Sequence, residues 1–339
     1  MGSGMRALRF EGSERGTLLS RSAPAPSPAP GEALIRPIRV GIAFADLETA
    51  RGAMGETPIT LGHEFVGVIE KAAPLPGQEA RAKSLAGQRI VGSPSTACSE
   101  CDLCRRGLSP HCRKRTVLGV LARDGCFADL FTLPLMNLAP VPKEVDDDRA
   151  LFAVPVAAAL HAAQQLRLEG KPYITILGDG VMGLLCAQVM LRFNASVRII
   201  GRHESKMELA GKWGIKSRHE SEVGRRADQD VVVDCTGSPS GLELAMKLVR
   251  PRGKILVKGA LAAGAGGAGM KAVDLSPIAA NEIEIIGSRC GPVSEALELL
   301  RREEVDVLSL ISRRMRLDEG PEAMRTARKA ETVKVVLDI

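Results

Sequence analysis

The chain has 339 residues, room for two domains of ordinary size, and 45% of them are apolar. Its net charge of +6 is spread over interleaved acids and bases, with aromatics at only 3%, which excludes the clustered basic and aromatic surface of a nucleic-acid binder. No apolar run approaches the roughly 18 residues of a membrane span, and no signal-peptide core stands near the start, so neither membrane insertion nor export is expected.

From residue 5 to about 150 the sequence reads as short strands between turns. Met5–Phe10 alternates weakly, and Ser22 to Pro30 is a proline-punctuated linker. Glu32 to Val40 is a longer strand in which Pro37 predicts an edge position or a bulge. Phe65–Glu70 and Arg89–Gly92 follow, and the set predicts an all-β, barrel-like first domain. From 151 the rhythm changes to helix and strand in alternation, the pattern of a doubly wound parallel sheet in an α/β domain. Strands are expected at Ile174–Leu177, Val197–Ile200, Asp230–Asp234, Lys254–Lys258 and Glu282–Gly287. The segment 261–272 reads as a small-residue loop, and beyond 293 a helix and a terminal strand from Val333 are expected to return to the first domain.

The most informative stretch joins the strand Ile174–Leu177 to an apolar helix through Gly178-Asp179-Gly180-Val181-Met182-Gly183. This G-x-G-x-x-G, with a strand before it and a helix after, is the fingerprint of dinucleotide binding. Gly178 permits the tight turn, Gly180 lets the backbone approach a pyrophosphate, and Gly183 allows close helix–strand contact. The helix N-terminus presents unpaired N–H groups to the phosphates. The next strand ends at Gly201-Arg202-His203, where an NAD site would carry a carboxylate for the ribose hydroxyls. A carboxylate is missing there, and Arg202, with His203 and Lys206, suits a 2′-phosphate, so NADP(H) is favoured over NAD(H).

Cys98, Cys101, Cys104 and Cys112 are spaced C-x-x-C-x-x-C-x7-C in a polar lobe at about 95–115. Four thiolates close tetrahedrally on one Zn²⁺ and leave no open position, so the site is read as structural. Such a site fits a reducing, cytoplasmic compartment better than a disulfide framework does. Cys126, Cys186, Cys235 and Cys290 read as isolated buried thiols.

With Gly62-His63-Glu64, the cysteine lobe, the GDGVMG turn, Asp234-Cys235-Thr236-Gly237 and a terminal strand beginning at Lys334, the chain resembles the medium-chain dehydrogenase/reductase family, the zinc alcohol dehydrogenases and their relatives. The resemblance implies a GroES-like β-barrel catalytic domain over 1–150, a Rossmann domain over 151–292 that binds NADP, and a return to the catalytic domain over 293–339. It implies hydride exchange between a nicotinamide cofactor and a small-molecule substrate. Thr236 joins the cofactor-binding residues, Val257, Lys258 and Gly259 lie beside the nicotinamide, and Lys334 contacts the pyrophosphate. Family members pair through the Rossmann domain, so a homodimer or homotetramer is expected, with Ile283–Gly287 as a permissive edge.

The resemblance breaks at the catalytic zinc. The family pattern G-I-C-x-T-D is here Gly41-Ile42-Ala43-Phe44-Ala45-Asp46, and the Glu-Pro pair that often supplies a third ligand is Val154-Pro155. Only His63 of the three ligands remains, and one imidazole holds zinc weakly. The expectation is an active site without catalytic zinc, in which His63, backed by Asp46, donates a proton or steadies an oxyanion. Glu64 and Asp46 are the carboxylates left there to rescue a metal. A lost Lewis acid removes several kcal/mol of alkoxide stabilisation. Activated acceptors are therefore expected: an activated carbonyl, a conjugated C=C bond, an iminium ion or a quinone. Two other readings stay open: a zinc-dependent alcohol dehydrogenase with unusual ligands, and a non-catalytic NADPH-binding protein.

Overall fold

A computed structural model describes residues 4–224, 226–259 and 273–339; the small-residue loop expected at 261–272 lies outside them. The chain forms two compact units. The first comprises Met1–Val154, Pro292–Glu304 and Ile311–Ile339; the second comprises Pro155–Gly291 and Val305–Leu310. Among the described residues no helix is long and apolar enough to cross a membrane.

The first unit is built on Glu32–Ile42, which lies in the interior of a seven-stranded sheet. It pairs antiparallel with Glu64–Ala73 on one side and with the C-terminal strand Lys334–Asp338 on the other. Pro37 therefore marks a bulge and not an edge. The register slips between Pro37 and Arg39, and the buried phase changes with it. Ala33, Ile35 and Pro37 face inward before the slip; Val40 and Ile42 face inward after it. One extra residue thus turns the second half of the strand over without breaking it. The core beneath holds Phe10, Phe65, Phe127 and Phe131, with Phe65 and Phe131 edge to face at 4.8 Å between centroids. A small sheet of Thr17–Ala23, Met5–Phe10 and Ile59–Thr60 closes one side.

The second unit carries a six-stranded, wholly parallel sheet. Its spatial order is Lys216–His219, Ser196–Gly201, Tyr173–Leu177, Gln229–Asp234, Val249–Val257, Glu284–Gly287. The central strands are short Val/Ile runs because both faces are covered. Chain order reverses between Tyr173–Leu177 and Gln229–Asp234, so a crevice opens at their carboxyl ends. The helix Val181–Leu191 is apolar on nearly every side, and Gly183 through Met190 are all buried. Val305–Leu310 is locked to this unit: Gln188 Nε2 donates to the Asp306 carbonyl at 3.0 Å, and Asp306 N donates back to Gln188 Oε1 at 2.7 Å.

Candidate active site and cofactor cleft

At the crevice of the second unit, Gly178 has φ +100°, a conformation that other residues rarely adopt. A Cβ on Gly183 would collide with the Gly178 carbonyl oxygen, while one on Gly180 would meet nothing within 4 Å. The first pair is needed to close the turn, and the last leaves backbone open to a phosphate. Val181 and Met182 begin the helix, with Gly180 as its N-cap.

Asp179, at the tip of the turn, is 6% exposed and reaches the end of the next strand. Its Oδ2 accepts from the backbone N–H groups of Arg202 and His203, both at 2.7 Å, and His203 Nδ1 lies 3.0 Å from Oδ1. Burial pushes this carboxyl up, but the hydrogen bonds from His203 and the two backbone N–H groups outweigh it and hold the group below the usual range. Through these bonds to Asp179, His203 pins the turn to the strand. Lys206 is buried on the following helix, Glu204–Lys212.

Arg202 lines a cleft of about 820 Å³ together with His219, Glu220, Ser221, Ser240 and Lys247. None of the last five was singled out in sequence, because they come from the end of a further strand, the turn after it and a helix. Arg202 is not an open fork: its Nε donates to Glu220 Oε2 at 2.5 Å and its Nη2 to Glu220 Oε1 at 3.2 Å.

Further along the crevice, Asp234 is 1% exposed and accepts from Thr236 N at 2.9 Å and from Thr236 Oγ1 at 2.7 Å. Burial drives its carboxyl up, and the Thr236 bonds offset only part of that. The backbone N–H groups of Lys258 and Gly259 donate to the Asp234 carbonyl, which fixes the stretch after Val257 against the sheet. The Lys258 ammonium turns to Ser288 Oγ at 3.4 Å and to the Arg289 carbonyl, and burial lowers its pKa. Cys186 and Cys235 are not isolated: the two thiols are close enough to shift each other, Cys186 downward and Cys235 upward. Cys235 and Cys290 are half-buried, and Cys126 and Cys186 are buried.

In the first unit the short helix Phe44–Thr49 begins where the family's first zinc ligand would stand. Asp46 is fully buried: its Oδ2 accepts from Ala43 N at 2.8 Å, its Oδ1 accepts from Gly62 N at 3.2 Å, and His63 Nδ1 lies 2.9 Å from the same oxygen. Burial lowers the His63 pKa, but the Asp46 charge and hydrogen bond, with Glu64 behind them, exceed that and raise it above 6.5. With Nδ1 engaged, Nε2 is the nitrogen left to gain or lose a proton.

Glu64 is 4% exposed, and Lys334, 2% exposed, donates to its Oε2. The Lys334 ammonium also sits 5.9 Å from the Phe152 ring centroid. A Cβ on Gly41 would come within 2.8 Å of Lys334 Cε and 3.1 Å of Glu64 Oε2, so glycine there makes room for the pair. The residue that the resemblance assigns to the pyrophosphate is thus buried against Glu64 in this unit.

The four cysteines of the lobe converge, with all sulfurs within 4.8 Å of one another. Three neighbouring separations are 3.4, 3.5 and 3.9 Å. A tetrahedron with bonds of about 2.3 Å has edges of about 3.8 Å, so the donor set fits zinc. Backbone N–H groups from Arg113 and Cys104 hold Cys101 down to about 6, and the N–H of Cys98 lowers Cys112, while burial and the neighbouring thiols push Cys104 up to about 12. Among the described residues this is the one group of three or more His, Cys, Asp or Glu side chains placed to hold a metal.

Both units match known family models. Residues 29–143 match the alcohol dehydrogenase GroES-like domain, and residues 181–303 match the zinc-binding dehydrogenase domain. An L-threonine 3-dehydrogenase of Streptomyces avermitilis is 32% identical over 273 residues, covering 75% of this chain and 77% of the relative. A sorbitol dehydrogenase of Halalkalibacterium halodurans is 26% identical over 351 residues, covering 98% and 99%. The crystal structure of a putative zinc-binding dehydrogenase from Sinorhizobium meliloti bound to NADP superposes with a TM-score of 0.87 at 27% identity over all of both chains. A short chain alcohol dehydrogenase of E. coli complexed with NADH gives 0.87 at 23% identity over all of both chains, a likeness of fold. The chain belongs to the zinc-type medium-chain dehydrogenase/reductase family. It is an alcohol dehydrogenase-like oxidoreductase.

Proposed function

We propose that this oxidoreductase uses NADP(H) to reduce an already activated acceptor, without a catalytic zinc, while the cysteine lobe holds one structural zinc. The observation that carries the reading is the donor set at His63. Ala43 and Val154 stand where two ligands would be. Both Asp46 oxygens are engaged by Ala43, Gly62 and His63, and Glu64 is engaged by Lys334. The two carboxylates nearest His63 are therefore already engaged within the protein.

When bound, the nicotinamide supplies the hydride. The protein's part is then proton delivery and charge stabilisation. Asp46 raises the His63 pKa against the effect of burial, which favours the protonated ring and its Nε2–H donor, and it fixes the ring and offsets its charge. That donor serves a developing enolate, alkoxide or amine in place of a Lewis acid. It is weaker than a metal, which favours conjugated C=C, iminium, quinone or activated carbonyl acceptors over simple alcohol oxidation. Arg202 is the proposed partner of the 2′-phosphate, and the NADP bound to the Sinorhizobium relative supports that choice.

Metal analysis of the purified chain tests the first part: one tightly held zinc is expected, and two would restore a catalytic metal. A screen of enals, quinones and imines with NADPH, followed at the nicotinamide absorbance, tests the second. No turnover of any of them, with turnover of simple alcohols, would overturn the reductase reading.

A further inference from the structure

The fold brings to the ribose end of the cleft a carboxylate that is distant in sequence. The strands Ser196–Gly201 and Lys216–His219 run parallel, with Gly201 opposite His219. That register sets the first residue beyond each strand side by side, and those residues are Arg202 and Glu220. They meet through two hydrogen bonds, at 2.5 and 3.2 Å. The side chains are 61% and 36% exposed, so the pair holds up no core and is open to exchange. Asp179 adds negative potential behind Arg202.

We propose that Glu220 is the residue that sets cofactor choice, as a gate on Arg202; this rests on the reading of this cleft as the dinucleotide site. With an unphosphorylated cofactor the ion pair stays closed, and Glu220 accepts from the ribose hydroxyls, the task that a carboxylate nearer Arg202 performs in NAD sites. With a phosphorylated cofactor the 2′-phosphate takes the guanidinium fork, and Glu220 must leave, since two anions cannot share it without repulsion. Ser221, Ser240 and Lys247 line the same cleft and supply further donors to a phosphate. Preference is then a competition between carboxylate and phosphate for one guanidinium. Glu220 lowers the affinity for NADP(H) that Arg202 alone would give.

The test is calorimetric titration of the full chain with 2′,5′-ADP and with 5′-AMP, in wild type, Glu220→Gln, Glu220→Ala and Arg202→Ala. Losing the competing carboxylate should raise the ratio of 2′,5′-ADP to 5′-AMP affinity about tenfold, the scale of one charge-assisted contact. Arg202→Ala should lower that ratio, and adding Glu220→Gln to it should restore nothing. A merely structural Glu220 would weaken both ligands alike, and an unchanged ratio in both Glu220 variants overturns the gate. If wild type favours 5′-AMP while Glu220→Gln still raises the ratio, the gate stands and the NADP(H) preference falls. If wild type favours 2′,5′-ADP and neither variant moves the ratio, the preference stands and the gate falls.

Discussion

His63 and Lys334 show what single residues do in this chain. His63 is raised above its ordinary pKa by Asp46, so its protonated form is the one that the fold stabilises. For a group with a raised folded pKa, that stabilisation is complete below about 6.5 and is lost as pH rises through the folded value. Reduction should follow the same limb: kcat falls as pH rises past the His63 pKa, and His63→Gln flattens the profile and lowers kcat by about 10²-fold or more. A pH–rate profile unchanged in His63→Gln would remove the histidine from the chemistry. Lys334 makes a different point. Its ammonium and the Glu64 carboxylate are both buried, so cutting one leaves an uncompensated charge. Lys334→Met should destabilise the chain by about 3–5 kcal/mol in denaturant titration, and adding Glu64→Gln should recover much of the loss.

Among the elements, the cysteine lobe depends most on something other than its own core. It consists of the two-residue strands Ser95–Thr96 and Thr116–Val117, a four-residue helix at Asp102–Arg105, and a 3₁₀ turn at Ser109–His111. Elements this short cannot be held by apolar burial, and the proposed zinc supplies the missing crosslink. Strong chelation, or Cys104→Ser, should open residues 95–115 to limited proteolysis and leave cleavage elsewhere unchanged. Equal resistance before and after metal removal would make the lobe self-supporting. Glu32–Ile42 illustrates how an element departs from its sequence pattern. Pro37 signals an interruption, but the slip that turns Val40 and Ile42 inward is visible only with both partner strands in place.

At the scale of the whole molecule, the parallel sheet of the second unit ends at Glu284–Gly287, whose outer side has no strand partner among the described residues. Ile285 is 40% exposed on that strand. Bare edges with apolar side chains tend to pair, and we propose this edge as the seam of the homo-oligomer expected from the resemblance. Ile285→Lys should shift sedimentation towards the monomer with the thermal midpoint of the second unit little changed. A wild-type chain that sediments as a monomer at micromolar concentration would end that expectation.

What the sequence alone determined was whatever depends on local spacing. The GDGVMG turn between a strand and an apolar helix, the C-x-x-C-x-x-C-x7-C lobe, and the alternation of strands and helices after 151 are set by residues close in the chain, and each was legible there. That positions 43 and 154 hold Ala and Val, which cannot bind a metal, was legible too, because it is a matter of residue identity. Only the tertiary structure decided which charges meet. Arg202 read as a fork for a phosphate until parallel pairing laid Glu220 beside it, and nothing near Lys334 in sequence signalled its partner Glu64, 270 residues away. Charge pairing acts through space over a few ångströms, and chain separation carries no record of that distance.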